Sequence, residues 1–276
     1  MHRFVIAFCA LMLIGLTSLR VQGAELRLCY DRWAPYAYDD GAGATGLAVE
    51  LTQMALNEAG HHAEFFQMPR ARCYFGIRYG IFDGILLDHG DDYDALKLLV
   101  ADRSVVSRVL VALVREDFRH GASRAMDMFA GANWLKVAGH DYPVSLTENQ
   151  DMIPVDVAEN AHGIEMLQKR HVDVVFRDLA SLHFGRDPMV SPAGIRIVMP
   201  AISIDQQFLR LIPSLGGVMT DYNRAMETLS QTGMIDRIYY KHLGFSQIGF
   251  QRYISRSSTP VTSALMEKIH PATKAY

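Results

Sequence analysis

The chain has 276 residues, half of them hydrophobic, with 27 basic against 30 acidic side chains and a formal net charge of −3. That balance lacks the basic footprint that nucleic-acid binding needs, and the hydrophobic half is enough to build a real core. Beyond residue 24 no run approaches the ~18 apolar residues of a membrane helix.

Arg3 precedes an apolar run over residues 4–19, and the small residues Gly23 and Ala24 follow. A positive start, an apolar stretch short for a membrane span and a small-residue exit predict a signal peptide over residues 1–24, cleaved after Gly23 or Ala24. Cys9 lies too early for a lipoprotein cleavage site, so no lipid anchor is expected. The leader takes Arg3 and Arg20 with it and no acid, which leaves a more acidic remainder. Cys29 and Cys73 also remain, as one disulfide of an exported chain or as two buried thiols.

LRLCY, residues 26–30, reads as a short buried strand, followed by the turn-rich DRWAPYAYDDGAGATG. Leu47, Leu51, Met54 and Ala55 recur at helical spacing, with Thr45 as N-cap and Gly60 as the stop. Residues 63–67 predict a second strand, Pro69 opens a helix that ends at Gly80, and residues 83–87 form an apolar strand. Strands alternating with helices through short connections predict a parallel α/β sheet. A long apolar run at residues 105–114 leads into REDFRHGAS, where the chain is expected to cross to a second α/β unit. That unit is read as strands at 135–138, 153–158, 172–176 and 195–199, with helices near Leu146, over 160–169 and from Leu179. A strand at 207–214 follows, then a helix with Tyr222, Met226 and Leu229 on one face, a last helix at 234–243 and a polar tail after Phe250.

Gly41, Gly43 and Gly46 spell G-x-G-x-x-G, but APYAYDD rather than a buried strand precedes them, so a surface loop is expected and not a dinucleotide site. No H-E-x-x-H, C-x-x-C or G-x-S-x-G occurs, and His61 and His62 sit in a turn; no metal site, cofactor or catalytic residue is expected. Three clusters suit a polar ligand. Trp33, Tyr36 and Tyr38 follow a strand, where α/β sheets bind ligands and aromatic rings exclude water. Arg70 and Arg72 lie in the first turn of a helix, as a carboxylate grip or as solvated surface. Asp178 ends a buried strand and begins a helix, either capping it or pairing with a ligand ammonium.

In order and spacing these segments resemble the family 3 bacterial extracellular solute-binding proteins, the periplasmic receptors of polar amino acid uptake. The likeness is carried by LRLCYDRWAPYAYDD with GLAVELTQMALNEAG, by FFQMPRARCYFGIRYGIFDGILL, by WLKVAGHDYP, by GIEMLQKRHVDVVFRDLA and by MTDYNRAMETLSQTGMIDRIYYKHLGF. The resemblance implies a two-lobe periplasmic-binding-protein fold of mixed, mostly parallel sheets joined by two strands. Lobe 1 would span residues 25–116 plus 204–250, lobe 2 residues 117–203, and the tail 251–276. It further implies an aromatic wall from Trp33 and Tyr36, a ligand contact from Arg72, a loop at His140 and Tyr142 ahead of a helix N-terminus, and Asp178 on the ligand's amino group. The implied protein is a periplasmic monomer that passes a small polar ligand to an inner-membrane ABC permease. An enzyme of the cyclic-acid dehydratase type and a ligand-presenting sensory subunit are the alternatives on this fold. In one place the chain departs from the family. The usual Ser/Thr-x-x-Arg after the third strand is absent from HGDDYDALKLLVADRSVV, which leaves Arg72, Arg103 or Arg108 to take the carboxylate.

Overall fold

The computed structural model describes residues 23–88, 94–118, 126–138, 140, 142–158, 163–184 and 194–250. The expected leader (but for Gly23 and Ala24), the HGDDY segment, most of the expected crossing after Arg115 and the tail lie outside these residues.

Strand β1 (Glu25–Tyr30) leads to a turn and a two-stranded hairpin, β2 (Tyr38–Asp39) and β3 (Ala44–Thr45). Helix α1 (Leu47–Glu58), strand β4 (His62–Gln67), helix α2 (Arg70–Arg78) and strand β5 (Gly84–Asp88) follow. β1 pairs in parallel with both β4 and β5, as the β-α-β-α-β reading requires. The N-cap of α1 is Gly46 rather than Thr45. Gly46 holds φ 113, and a β-carbon there would stand 2.5 Å from the Tyr36 carbonyl, so close approach rather than side-chain capping sets the helix start.

Strand β6 (Leu99–Val100) and the long β7 (Val106–Arg115) come next. The second half builds β8 (Asn133–Val137), α3 (Val144–Thr147), β9 (Ile153–Val157), α4 (Gly163–Gln168), β10 (Val174–Asp178) and α5 (Leu179–His183). β11 (Ile195–Leu211) is continuous where the sequence reads as two strands, because its register against β7 shifts between Val198 and Ser203. The irregularity takes in position 200, a proline with no amide to donate to a ladder. Helices α6 (Gly216–Gln231) and α7 (Met234–Leu243) close the fold.

The sheet order is β4-β1-β5-β11-β7-β10-β8-β9. Pairing is parallel inside each half and antiparallel where β11 meets β5 and β7 and where β7 meets β10, so β7 and β11 are the two strands shared by both lobes. Packing divides along them. Val105 and Val106 join Leu28, Leu51, Leu209, Tyr222 and Met226 in the first lobe's core. From Val109 onward β7 is buried on both faces, Val109, Val111 and Leu113 on one side and Leu110, Ala112 and Val114 on the other. The cores therefore exchange inside β7, several residues before the boundary read from sequence. Phe250, read with the first lobe, packs into the second. Cys29 of β1 and Cys73 of α2, both fully buried, form a disulfide with a Cα–Cα distance of 5.6 Å.

Candidate functional site

The turn after β1 is drawn tight by amides of Tyr36 and Ala37 that both donate to the Trp33 carbonyl, at 2.8 and 2.9 Å. It delivers Tyr36 into the interior, where only 1% of the residue stays exposed. The Tyr36 hydroxyl donates to Asp178 Oδ1 at 3.2 Å, linking residues 142 positions apart in sequence. Asp178, the last residue of β10, also accepts from the Val109 amide of β7 at 3.1 Å and, through Oδ2, from the Ser181 amide at 2.9 Å. The second of these caps α5, so the capping role open in the sequence is present. Ser181 returns the contact: its hydroxyl donates to the Ala34 carbonyl at 2.8 Å and accepts from Trp33 Nε1 at 3.2 Å. The Trp33 and Tyr36 rings meet edge-on at 5.1 Å, and Tyr38 meets Phe184 likewise at 4.9 Å. Lobe 1's aromatic turn thus grips the β10–α5 junction of lobe 2.

Burial raises the Asp178 carboxyl above its ordinary value, while the amides of Ser181 and Val109 and the Tyr36 hydroxyl hold it down. Burial and then the Asp178 charge push the Tyr36 phenol well above its own. His140 lies past the end of β8 and is exposed overall. Crowding by the surrounding chain, then the charges of Arg177 and Arg108, keep its imidazole below the usual range, with Asp31 pulling the other way. Tyr142 is half-buried, with its ring edge-on to Trp134 at 5.2 Å and its hydroxyl accepting from the Val137 amide at 3.2 Å. That hydroxyl keeps its own proton available to a partner.

The arginines divide. Arg108 sits on the shared strands opposite Asp205, donating to it from Nε at 3.0 Å and from Nη2 at 2.7 Å; Ser203 supports the same carboxylate at 2.9 Å. Arg103 turns instead to Glu227 on α6, with Nε at 2.9 Å in an exposed pair. Arg72 is exposed on α2. Arg70 is held by the fully buried Asp88 at 2.6 Å, and Arg210 Nε lies 3.1 Å from the other oxygen of that carboxylate. A bulge makes this possible. Leu87 takes φ 63, so Leu86 and Leu87 both pack toward the first core and Asp88 turns back under α2.

The structure therefore joins Trp33, Tyr36 and Asp178 directly, and brings the charges of Arg108, Arg177 and Asp31 to bear on His140. Among the described residues Arg72 has no hydrogen bond or ion pair to that network. Ser181, the Asp205 partner of Arg108, and Asp88 escaped the sequence reading. Ser181 had a signal, a hydroxyl three residues after a capping aspartate; the other two depend on strand pairings invisible in one dimension. A surface hollow of about 610 Å³ beside α1, lined by Glu50, Gln53, Asn57 and Phe65, shares no residue with this network. Among the described residues no group of His, Cys, Asp and Glu forms a metal site, and no helix is long and apolar enough to cross a membrane.

No family model and no curated protein matches the chain. Solved structures do. The probable amino-acid ABC transporter extracellular-binding protein ytmK from Bacillus subtilis is 14% identical, with a TM-score of 0.68 over 80% of this chain and 97% of that one. An ancestral arginine-binding protein bound to arginine is 16% identical, with a TM-score of 0.61 over 81% and 100%. The L-cystine solute receptor of Neisseria gonorrhoeae, unliganded and open, is 16% identical, with a TM-score of 0.58 over 81% and 94%. The chain has the two-lobed α/β fold of these solute-binding proteins.

Proposed function

We propose that the protein is an exported solute-binding protein. It captures a small polar ligand, an amino acid or a related compound, between its lobes and delivers it to an ABC-type permease. The observation that carries this reading is the hydrogen-bonded contact of Trp33, Ala34 and Tyr36 with Asp178 and Ser181, which joins aromatic and ionised groups of both lobes beside the two shared strands.

In this reading Trp33 stacks on the ligand and Tyr36 supports the ring wall from behind. Asp178 Oδ2, which accepts one amide, has capacity for a ligand ammonium. His140 and Tyr142 line the second lobe's side, and Arg72 stands on the first lobe's rim as a carboxylate contact. The lobes turn about β7 and β11, and the ligand shifts the balance toward closure by binding that state more tightly.

A thermal-shift screen of amino acids, polyamines and small organic acids tests this. A true ligand at 100 times its Kd stabilises by about 2.7 kcal/mol. Asp178→Asn, which keeps the shape and removes the charge, should weaken binding at least tenfold, as expected for the loss of a charged hydrogen bond. A screen in which no small polar solute raises the melting temperature would refute the reading.

A further inference from the structure

Helix α2 turns Cys73, Tyr74, Gly76 and Ile77 inward, and the disulfide anchors that face. Its opposite side carries Phe75, 60% exposed, and Tyr79 just past its end, 65% exposed, one turn apart with ring centroids at 4.4 Å. Ile81, 48% exposed, extends the crest. Large apolar side chains exposed this far normally occur singly; here three fall within seven residues. Arg72 and Arg78 are exposed on the same helix, and neither makes an ion pair or a side-chain hydrogen bond among the described residues. No acid occurs between residues 70 and 81. On a chain of net charge −3 this is a local reversal of sign, combined with an aromatic crest.

We infer that this outer face of α2 is a docking surface for an anionic phospholipid bilayer. The shape favours a membrane over a protein partner: it is a convex helix side, two rings wide, which fits a planar surface. Phe and Tyr rings suit the boundary between headgroups and acyl chains, and arginine stems are long enough to reach phosphates from either flank. The association is weak and reversible, since this single short helix face presents two arginines without an ion-pair partner among the described residues, each worth about a fivefold gain near an anionic surface. It would keep one fixed side of the first lobe against the membrane, and Arg72 is the one residue it shares with the ligand reading.

The test is sedimentation of the protein, recovered from the periplasm of an expression host, with phosphatidylcholine vesicles and with vesicles of which about one third is phosphatidylglycerol. Wild type should sediment with the anionic vesicles at low salt and be released at high salt. Phe75→Ser with Tyr79→Ser should lower the bound fraction at least fivefold, and Arg78→Gln, at an exposed position, by about fivefold. Wild type left in the supernatant with anionic vesicles would overturn the inference and leave an acidic protein as the occupant. So would an Arg78→Gln protein that sediments as wild type does.

Discussion

Tyr36→Phe isolates the bond on which the inter-lobe contact turns. The ring stays, so no cavity opens, and the hydroxyl is lost from Asp178 Oδ1 and from its longer contact, 3.5 Å, with the Ser107 carbonyl. A hydrogen bond to a charged group contributes about 1.5–3 kcal/mol, and Asp178 retains its two amide partners, so a loss of about 2 kcal/mol is expected near neutral pH. The pH dependence fixes the sign. Burial raises the folded-state pKa of Asp178, so its carboxyl favours the folded protein most when protonated. That contribution is complete below the unfolded value of about 4 and fades as pH rises through the folded value. The Tyr36 bond opposes the upward shift, so removing it raises the folded pKa further and steepens the decline. Urea unfolding of wild type and Tyr36→Phe from pH 4 to pH 7 should show a gap that widens toward neutrality. A gap that stays constant, or that grows toward acid, would refute the assignment of this bond to an ionised Asp178.

Other perturbations reach the supports of the site. Asp88→Asn leaves Arg70 and Arg210 facing a neutral amide in a buried setting, and about 3 kcal/mol should be lost on chemical denaturation; a loss under 1 kcal/mol would show the cluster to be solvated. Replacing both Cys29 and Cys73 by Ala opens a link across 44 positions and should cost about 3–4 kcal/mol, with reductant then affecting wild type alone. Gly46→Ala forces a β-carbon against the Tyr36 carbonyl at φ 113, so it should cost about 2 kcal/mol or more and weaken ligand binding through the displaced turn. A Gly46→Ala protein as stable as wild type would remove the tight turn from the account.

The lobes were legible because buried parallel strands write themselves as unbroken apolar runs: LRLCY and GILL are β1 and β5 within a residue or two, and the run ending at Val114 is the doubly covered part of β7. The Cys29–Cys73 pairing was legible as one of two options, since setting aside the expected leader with Cys9 leaves those two cysteines with one possible partner each. The position of Asp178 at a strand end before a helix was legible too, along with its capping role. What the sequence hid depends on register. Arg108 meets Asp205 only because β7 and β11 run antiparallel in one register, and Asp88 is turned under α2 only by the bulge at Leu87. β11 reads as two strands because the proline at position 200 interrupts its apolar pattern, while pairing with β7 carries the strand through the register shift. Thr45 has the side chain of a cap, but the close approach of Gly46 to the Tyr36 carbonyl sets the helix start one residue later.

The central claim is that ligand binds against the turn that joins the lobes, and the chain carries its own reporter. It has two tryptophans, Trp33 in that turn and Trp134, buried in the second core. Titrating the best stabilising solute while following tryptophan emission should give a saturable change whose midpoint matches the calorimetric Kd, and Trp33→Phe should abolish it. A solute that binds by calorimetry and leaves the emission of Trp33 untouched would place the site elsewhere and contradict the account.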